Sequence, residues 1–373
     1  MSRKRIVIAS DSFKGTLSSL KICELFKNEL KGKDIDAIYV PIADGGEGSL
    51  DAISNILKGY YVDVTVKNLY FNDINTHFYV DNNNRAYIET ASVAGLTLAK
   101  KDNDPGLVTT YGLGQQIKKA IELGYKEIYV FLGGSATNDG GVGLASALGT
   151  KFYHNNQTFI PTGLTLKDIE RIDNDETESL LKDIKIIALS DVKSPFYGKE
   201  GAAFVFAPQK GATPEEVILL DEGLKHLSEI IRRDLKKNIQ DVQGAGAAGG
   251  LGGGLIAFAN ATISSGINSI LDLINFDEII SKADLVISGE GKLDKQTFDG
   301  KVIDGISKRC IKQNKPLNLI VGISETSLED IQKVYPCINK IYETNFEHLP
   351  FEQVKDNAIE AYIMQIKELL KDI

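Results

Sequence analysis

Residues 133 to 141 read Gly-Gly-Ser-Ala-Thr-Asn-Asp-Gly-Gly and follow the apolar run Glu127-Ile128-Tyr129-Val130-Phe131-Leu132. A strand that empties into such a loop carries bare amides, small hydroxyls and one carboxylate to the edge of a sheet. Gly133 and Gly134 let backbone N–H groups approach an anion closely, and Ser135, Thr137 and Asn138 add hydrogen-bonding side chains. Asp139 could hold a metal ion or take a proton. Two further apolar runs end the same way, in Asp44-Gly45-Gly46-Glu47-Gly48 and in Ser288-Gly289-Glu290-Gly291-Lys292-Leu293-Asp294. Three strand-to-acidic-glycine junctions in one chain point to anion chemistry rather than to loop building.

A fourth junction, Ser10-Asp11-Ser12-Phe13-Lys14-Gly15-Thr16-Leu17-Ser18, places an acid, a lysine and hydroxyls just past the first strand. Asp11 or Ser18 could cap the following helix. Lys14 has no such use, because the dipole disfavours a cation at a helix N-terminus. The motif resembles the DxDGT signature of haloacid-dehalogenase phosphatases, but the second Asp is missing and the spacing is longer. Asp191 ends another strand and leads into a segment with Lys193, Lys199 and Lys210. These lysines, with Lys14 and Lys292, are the candidate phosphate partners, since no arginine lies in a glycine motif. The tract Gly244-Ala245-Gly246-Ala247-Ala248-Gly249-Gly250 contains a literal GxGxxG, but polar residues precede it where a dinucleotide fingerprint needs a strand. It reads instead as a phosphate-approach loop at Gly246 and Gly249, or as close packing against another domain. No P-loop and no protein-kinase signature occurs.

The composition limits the alternatives. A net charge of −9 argues against a nucleic-acid binder. The cysteines Cys23, Cys310 and Cys337 are dispersed, so neither a disulfide frame nor a zinc site is expected. The four histidines lie outside every glycine motif. No apolar run approaches membrane-spanning length and no signal peptide is visible, which makes the cytoplasm the expected compartment.

These junctions need a scaffold. At 373 residues two domains are expected. Ile6–Ser10 and Ala37–Ile42 read as strands around a helix bearing Ile22, Leu25, Phe26 and Leu30, with Gly32 as its stop. Residues 61–67, 76–80 and 85–90 read as an antiparallel meander. Thr213-Pro214-Glu215-Glu216 is a helix start. From about residue 275 strands and helices alternate again, with strands at Leu285–Ile287, Leu317–Val321 and Ile338–Tyr342. Five parallel strands drawn from both chain ends predict a flavodoxin-like α/β domain, 1–60 plus 275–373, with a second, mixed α/β domain inserted at 61–274.

The ordered blocks Ala9–Thr16, Pro41–Gly48, Gly133–Gly141, Ser190–Val192, Gly201–Ala203, Pro208–Ala212, Gly244–Gly250 and Gly289–Thr297 resemble the bacterial glycerate kinase family over essentially the whole chain. Lys193-Ser194 and Lys199-Glu200 depart from the pairs common there. The resemblance implies the same two-domain layout, an active site in a cleft between the domains, and phosphorylation of D-glycerate by ATP with Mg2+. It implies 2-phosphoglycerate as product; a 3-kinase, or an Asp11-nucleophile phosphohydrolase, is the alternative. Asp191, as general base, is assigned to catalysis with Lys14 and Asp11. Ser12, Gly45, Gly46, Gly133, Gly134, Ser135, Thr137, Asn138, Asp139, Lys210, Gly246, Gly249 and Lys292 are assigned to substrate and phosphate, and Asp44, Glu290 and Asp294 to the metal. The expected partners are small molecules, with no nucleic acid and no membrane; a homodimer is compatible with the sequence.

Overall fold

The computed structural model describes residues 3–43, 45, 46, 48–294, 297 and 300–373. The chain forms two compact units. The first comprises Met1–Asp44, Asp51–Leu57 and Ser265–Ile373, and the second Gly45–Leu50 and Lys58–Ser264.

The first unit is built on five parallel strands, in the order Ile35–Tyr39, Lys4–Ile8, Leu285–Ser288, Leu317–Val321, Ile338–Glu343. Counted along the chain this is 2-1-3-4-5, the flavodoxin-like order. Alternate residues of the central strands feed two separate cores, as a period of two requires. Val7, Ala9 and Val286 pack with Ile267, Leu271, Val302 and Ile306 on one face. Ile6, Ile8 and Ile287 pack with Ile22, Phe26, Tyr362 and Ile366 on the other. Helices therefore cover both faces, which explains why the strands are continuous apolar runs rather than alternating ones. The helix Ser19–Glu29 begins where the Ser18 side chain accepts a hydrogen bond from the Lys21 amide, and Gly32 follows its end in the left-handed region.

The second unit carries a mixed six-stranded sheet, in the order Thr262–Ser264, Lys185–Leu189, Glu127–Phe131, Arg85–Glu89, Asp73–Asp81, Gly59–Lys67. The last three form the antiparallel meander, and Arg85–Glu89 joins it to the parallel strands. One face buries Phe78, Val80, Ile88, Ile128 and Val130 against Leu113 and Ile117, Leu144 and Leu148, and Leu251 and Leu255. A neighbouring core gathers Phe196, Leu220, Leu224 and Ile231 with Phe152 and Ile172 of a small antiparallel sheet. The helix Pro214–Asp234 starts at Thr213 with a reciprocal capping box to Glu216. Gly244, Ala245 and Gly246 form a turn that leads into the helix Ala247–Ala259. Ala248, Gly249 and Gly250 make a left-handed turn within it, with φ of 55°, 70° and 85°.

Candidate functional sites in the two units

In the first unit the loops after the first and third strands of the 2-1-3-4-5 order lie side by side. The strand order reverses there, and ligands of open α/β sheets bind at such a point. The Asp11 amide and the Ser10 hydroxyl both donate to the Gly289 carbonyl, at 3.0 and 3.1 Å. Gly289 has no room for a side chain, since an added Cβ would lie 1.8 Å from the Ile320 carbonyl oxygen. Asp11 is buried and its Oδ1 accepts from the Ser12 amide at 2.7 Å. Phe13 and Leu17 exchange backbone hydrogen bonds at 2.7 and 3.0 Å, a tight loop that leaves Lys14 exposed at its tip.

On the neighbouring loop Glu290 is buried and accepts from the Thr297 hydroxyl. Lys292 is half exposed and pairs with Glu325 at 2.9 Å and with Asp294 at 3.6 Å. Hydrogen bonding to Glu325 holds its ammonium above the usual lysine range. Asp294 also lies 4.0 Å from the Lys301 ammonium. Asp11, Ser12 and Lys14 are thus brought beside the loop of Glu290, Lys292 and Asp294. Asp44 lies outside the described residues. Among the described residues no group of three or more His, Cys, Asp or Glu side chains is placed to hold a metal. Magnesium needs only one or two protein carboxylates alongside phosphate oxygens and water. Glu290 and Asp294, on either side of the short strand Lys292–Leu293, are the two assigned acids among the described residues.

In the second unit the structure gathers the other assigned residues into one continuous cluster. The Gly133 amide donates to the Gly45 carbonyl at 3.0 Å, and a Cβ on Gly133 would lie 2.3 Å from the Gly46 Cα. The loop then turns inward. Thr137, Asn138 and Asp139 are each 0 % exposed. Asp139 accepts from the Thr110 amide and hydroxyl, both at 2.8 Å, and from the amides of Gly141 at 3.0 Å and Gly143 at 3.3 Å. Burial nevertheless pushes its carboxyl above the usual range, against the pull of those four bonds. By contrast the Thr137 hydroxyl and both polar atoms of the Asn138 side chain are buried without a hydrogen-bond partner in the protein. Such atoms are costly unless something pairs with them.

Gly249 presses on this loop, its amide plane so close that a Cβ would lie 2.1 Å from the Thr137 carbonyl oxygen; its own carbonyl accepts from the Gly140 amide. Gly246 meets the segment after the Lys185–Leu189 strand, where a Cβ would be 2.2 Å from the Pro195 carbonyl oxygen. The glycines of the tract are therefore required by close packing within their own unit. Asp191 starts that segment, half-buried, with the Val192 amide bonded to the Ser190 hydroxyl at 3.2 Å. Lys210 is 4 % exposed, and its ammonium donates to the Ser135 hydroxyl at 2.9 Å and the Thr137 carbonyl at 2.8 Å.

Three participants carry no motif. Asn103 donates to the Ala136 and Lys210 carbonyls, Thr110 holds Asp139, and Glu89 accepts from the Ser49 amide at 3.0 Å. The only sequence signal for Asn103 is its place in the turn-forming run Asn103-Asp104-Pro105-Gly106.

Comparison with known proteins gives the family of the chain. The model of the family described as the glycerate kinase family matches residues 6–371. The chain is 36% identical over 349 residues to a glycerate kinase of Haemophilus influenzae, covering 92% of this chain and 89% of that one. It is 37% identical over 336 residues to a glycerate 2-kinase of Escherichia coli, covering 89% and 87%. A crystal structure described as that of a glycerate kinase 2 from Salmonella typhimurium superposes with a TM-score of 0.82 at 34% identity, over 99% of this chain and 97% of that one.

Proposed function

The chain belongs to the glycerate kinase family, and we propose that it moves the γ-phosphoryl group of ATP onto the 2-hydroxyl of D-glycerate. It is a phosphotransferase with an alcohol group as acceptor. The observation that carries the regiochemistry is the 37% identity, over 89% of the chain, with the relative named glycerate 2-kinase. The unpaired atoms of Thr137 and Asn138 support a small polar ligand at the second unit's loop.

Phosphoryl transfer asks for cations and amides on the phosphates and for an acid to accept the hydroxyl proton. Asp191 is the base in this reading. Lys14, exposed at a loop tip, and Lys292, exposed on the short strand Lys292–Leu293, meet anionic groups of the substrates as point charges. Asp11 orders its loop through the Ser12 amide, and Ser12 offers a hydroxyl beside it. The amides of Gly45, Gly46 and Gly134 and the side chains of Ser135, Thr137 and Asn138 hold oxygen atoms of the substrates, while the Gly133 amide ties its loop to the Gly45 carbonyl. Asp44, Glu290 and Asp294 would hold magnesium, which would supply charge neutralisation on the phosphates.

Incubation with ATP and carbon-13-labelled D-glycerate tests the reading by NMR of the product. Phosphorus coupling to the C2 carbon is the expected result. Coupling to C3 would make the chain a 3-kinase, and release of inorganic phosphate without a phosphoglycerate would revive Asp11 as the nucleophile of a hydrolase.

A further inference from the structure

Lys210 and Asn103 grip three successive residues of the Gly133–Gly141 loop. The Lys210 ammonium takes the Ser135 hydroxyl and the Thr137 carbonyl; the Asn103 amide takes the Ala136 carbonyl at 3.2 Å and the Lys210 carbonyl at 2.8 Å. Asn103 is itself fixed, because its Oδ1 accepts from the Tyr70 hydroxyl at 3.0 Å. Gly211, at φ +109°, lets the turn carrying Lys210 close onto Asn103: a Cβ there would lie 2.0 Å from the Asn103 carbonyl oxygen. A trans peptide plane points its N–H opposite to its C=O. Holding the Ala136 and Thr137 carbonyls therefore also sets the direction of the Thr137 and Asn138 amides. The Asn138 amide accordingly meets the Pro105 carbonyl at 2.9 Å.

We propose that Lys210 and Asn103 are positioning residues, a latch that holds Ser135, Ala136 and Thr137 from inside the second unit, and that Lys210 meets no phosphate. This replaces its sequence-based assignment as a phosphate ligand. It rests on the phosphotransferase reading only for what the loop is held to do. Burial pushes the Lys210 amine down to about 7, against the opposing charge of Asp139. An amine so enclosed is a hydrogen-bond donor to its loop and a poor point charge for a ligand.

The test combines Lys210→Met, Lys210→Arg and Asn103→Ala with steady-state kinetics and hydrogen exchange of peptides covering 133–141. For Lys210→Met the expected result is a loss of about tenfold in kcat, with the KM for ATP within twofold of the unaltered enzyme. Arginine should not rescue it, since the planar fork does not fit between Ser135 and Thr137. A phosphate contact would be kept by arginine. Asn103→Ala should lower kcat in the same direction by about threefold, and both it and Lys210→Met should raise exchange in 133–141 at least tenfold. Recovery of kcat by Lys210→Arg, or a rise above tenfold in the ATP KM with kcat kept, overturns the proposal. So does unchanged exchange in 133–141 in Asn103→Ala, which serves also if the Lys210 variants do not fold. If the unaltered enzyme transfers no phosphoryl group to glycerate, the reading of the reaction fails by itself, and the exchange measurement still decides the latch.

Discussion

Two of the acidic-glycine junctions, Ser288–Asp294 in the first unit and Gly133–Gly141 in the second, look alike in sequence and differ in physical state. In the first unit, Lys14 stands exposed at a loop tip and Lys292 on the short strand Lys292–Leu293, and Lys292, Asp294, Glu325 and Lys301 form a half-exposed set of ion pairs. In the second, Thr137, Asn138, Asp139 and Lys210 are enclosed, and Asp139 receives four hydrogen bonds from its own unit. Charge at the surface can meet a ligand at little desolvation cost, whereas charge inside must first be compensated by the protein. One loop therefore presents groups and the other is built to keep a shape. Acid and lysine have opposite jobs in the two places.

The largest expected effect would separate presenting groups from shaping ones. Asp191 is half-buried at a strand end, between these extremes. As general base, its replacement in Asp191→Asn should lower kcat by about 10²–10⁴ while ATP affinity and the thermal midpoint stay near their original values. Near-normal turnover would move the proton to Asp44 or Asp11. A loss of kcat accompanied by a large drop in midpoint would instead make Asp191 a shaping residue, like Asp139.

A pair of glycine substitutions sharpens the contrast next. At Gly249 an added Cβ would meet the Thr137 carbonyl oxygen at 2.1 Å with φ at +70°, while at Gly291 the closest atom is the Phe13 Cα at 3.6 Å, an ordinary contact. Gly249→Ala should destabilise the protein by roughly 2–4 kcal/mol, from strain and overpacking together. Gly291→Ala should stay within about 0.5 kcal/mol. Urea midpoints read both. Equal midpoints would mean that the second unit's loop is no more rigid than the first's.

Much of this was legible from the residues. The apolar runs Ile6-Val7-Ile8 and Leu285-Val286-Ile287 declare buried parallel strands, and Thr213-Pro214 declares a helix start, because periodicity and capping are local properties. The glycine-rich and acidic junctions were visible for the same reason. What stayed hidden was which of them face inward. Asp139 is saturated by Thr110, and Lys210 reaches back to Ser135 and Thr137; such partners, distant along the chain, leave no mark near either residue. Asn103 had no signal beyond a turn. That the glycine tract packs within its own unit, rather than against another domain, depends on equally distant partners, the Pro195 carbonyl at Gly246 and the Thr137 carbonyl at Gly249.

A pH experiment tests the enclosed loop from another side. The Lys210 amine is lowered to about 7 in the folded chain, with burial as the main cause. In the unfolded chain it titrates near the ordinary lysine value, about 10.4. Between those values the unfolded state binds the extra proton, so stability should rise with pH across that window, by on the order of 1 kcal/mol per unit at most. Asp139 acts at the other end: its raised carboxyl favours the folded state below the usual carboxylate range and loses that advantage as pH rises through its folded value. Comparing the unaltered protein with Lys210→Met from pH 7 to 10 isolates the lysine. Parallel curves would show that its amine is not desolvated as the structure has it.

The smallest effects belong to the exposed loop. Lys292 already pairs with Glu325 and Asp294, so a ligand there competes with existing partners. Lys14 stands exposed at the tip of a loop closed by the backbone hydrogen bonds between Phe13 and Leu17. Lys14→Ala and Lys292→Ala should each raise the KM for ATP or glycerate by about three- to tenfold, without a change in thermal midpoint. Exposed ion pairs contribute little to folding, which is why the midpoint should not move. The effects should also shrink as salt rises, since exposed charges are screened over about a Debye length of 10 Å at 0.1 M. A midpoint that falls in Lys292→Ala, with KM unchanged, would mean that this segment too is built to hold a shape, and the difference between the two units would disappear there.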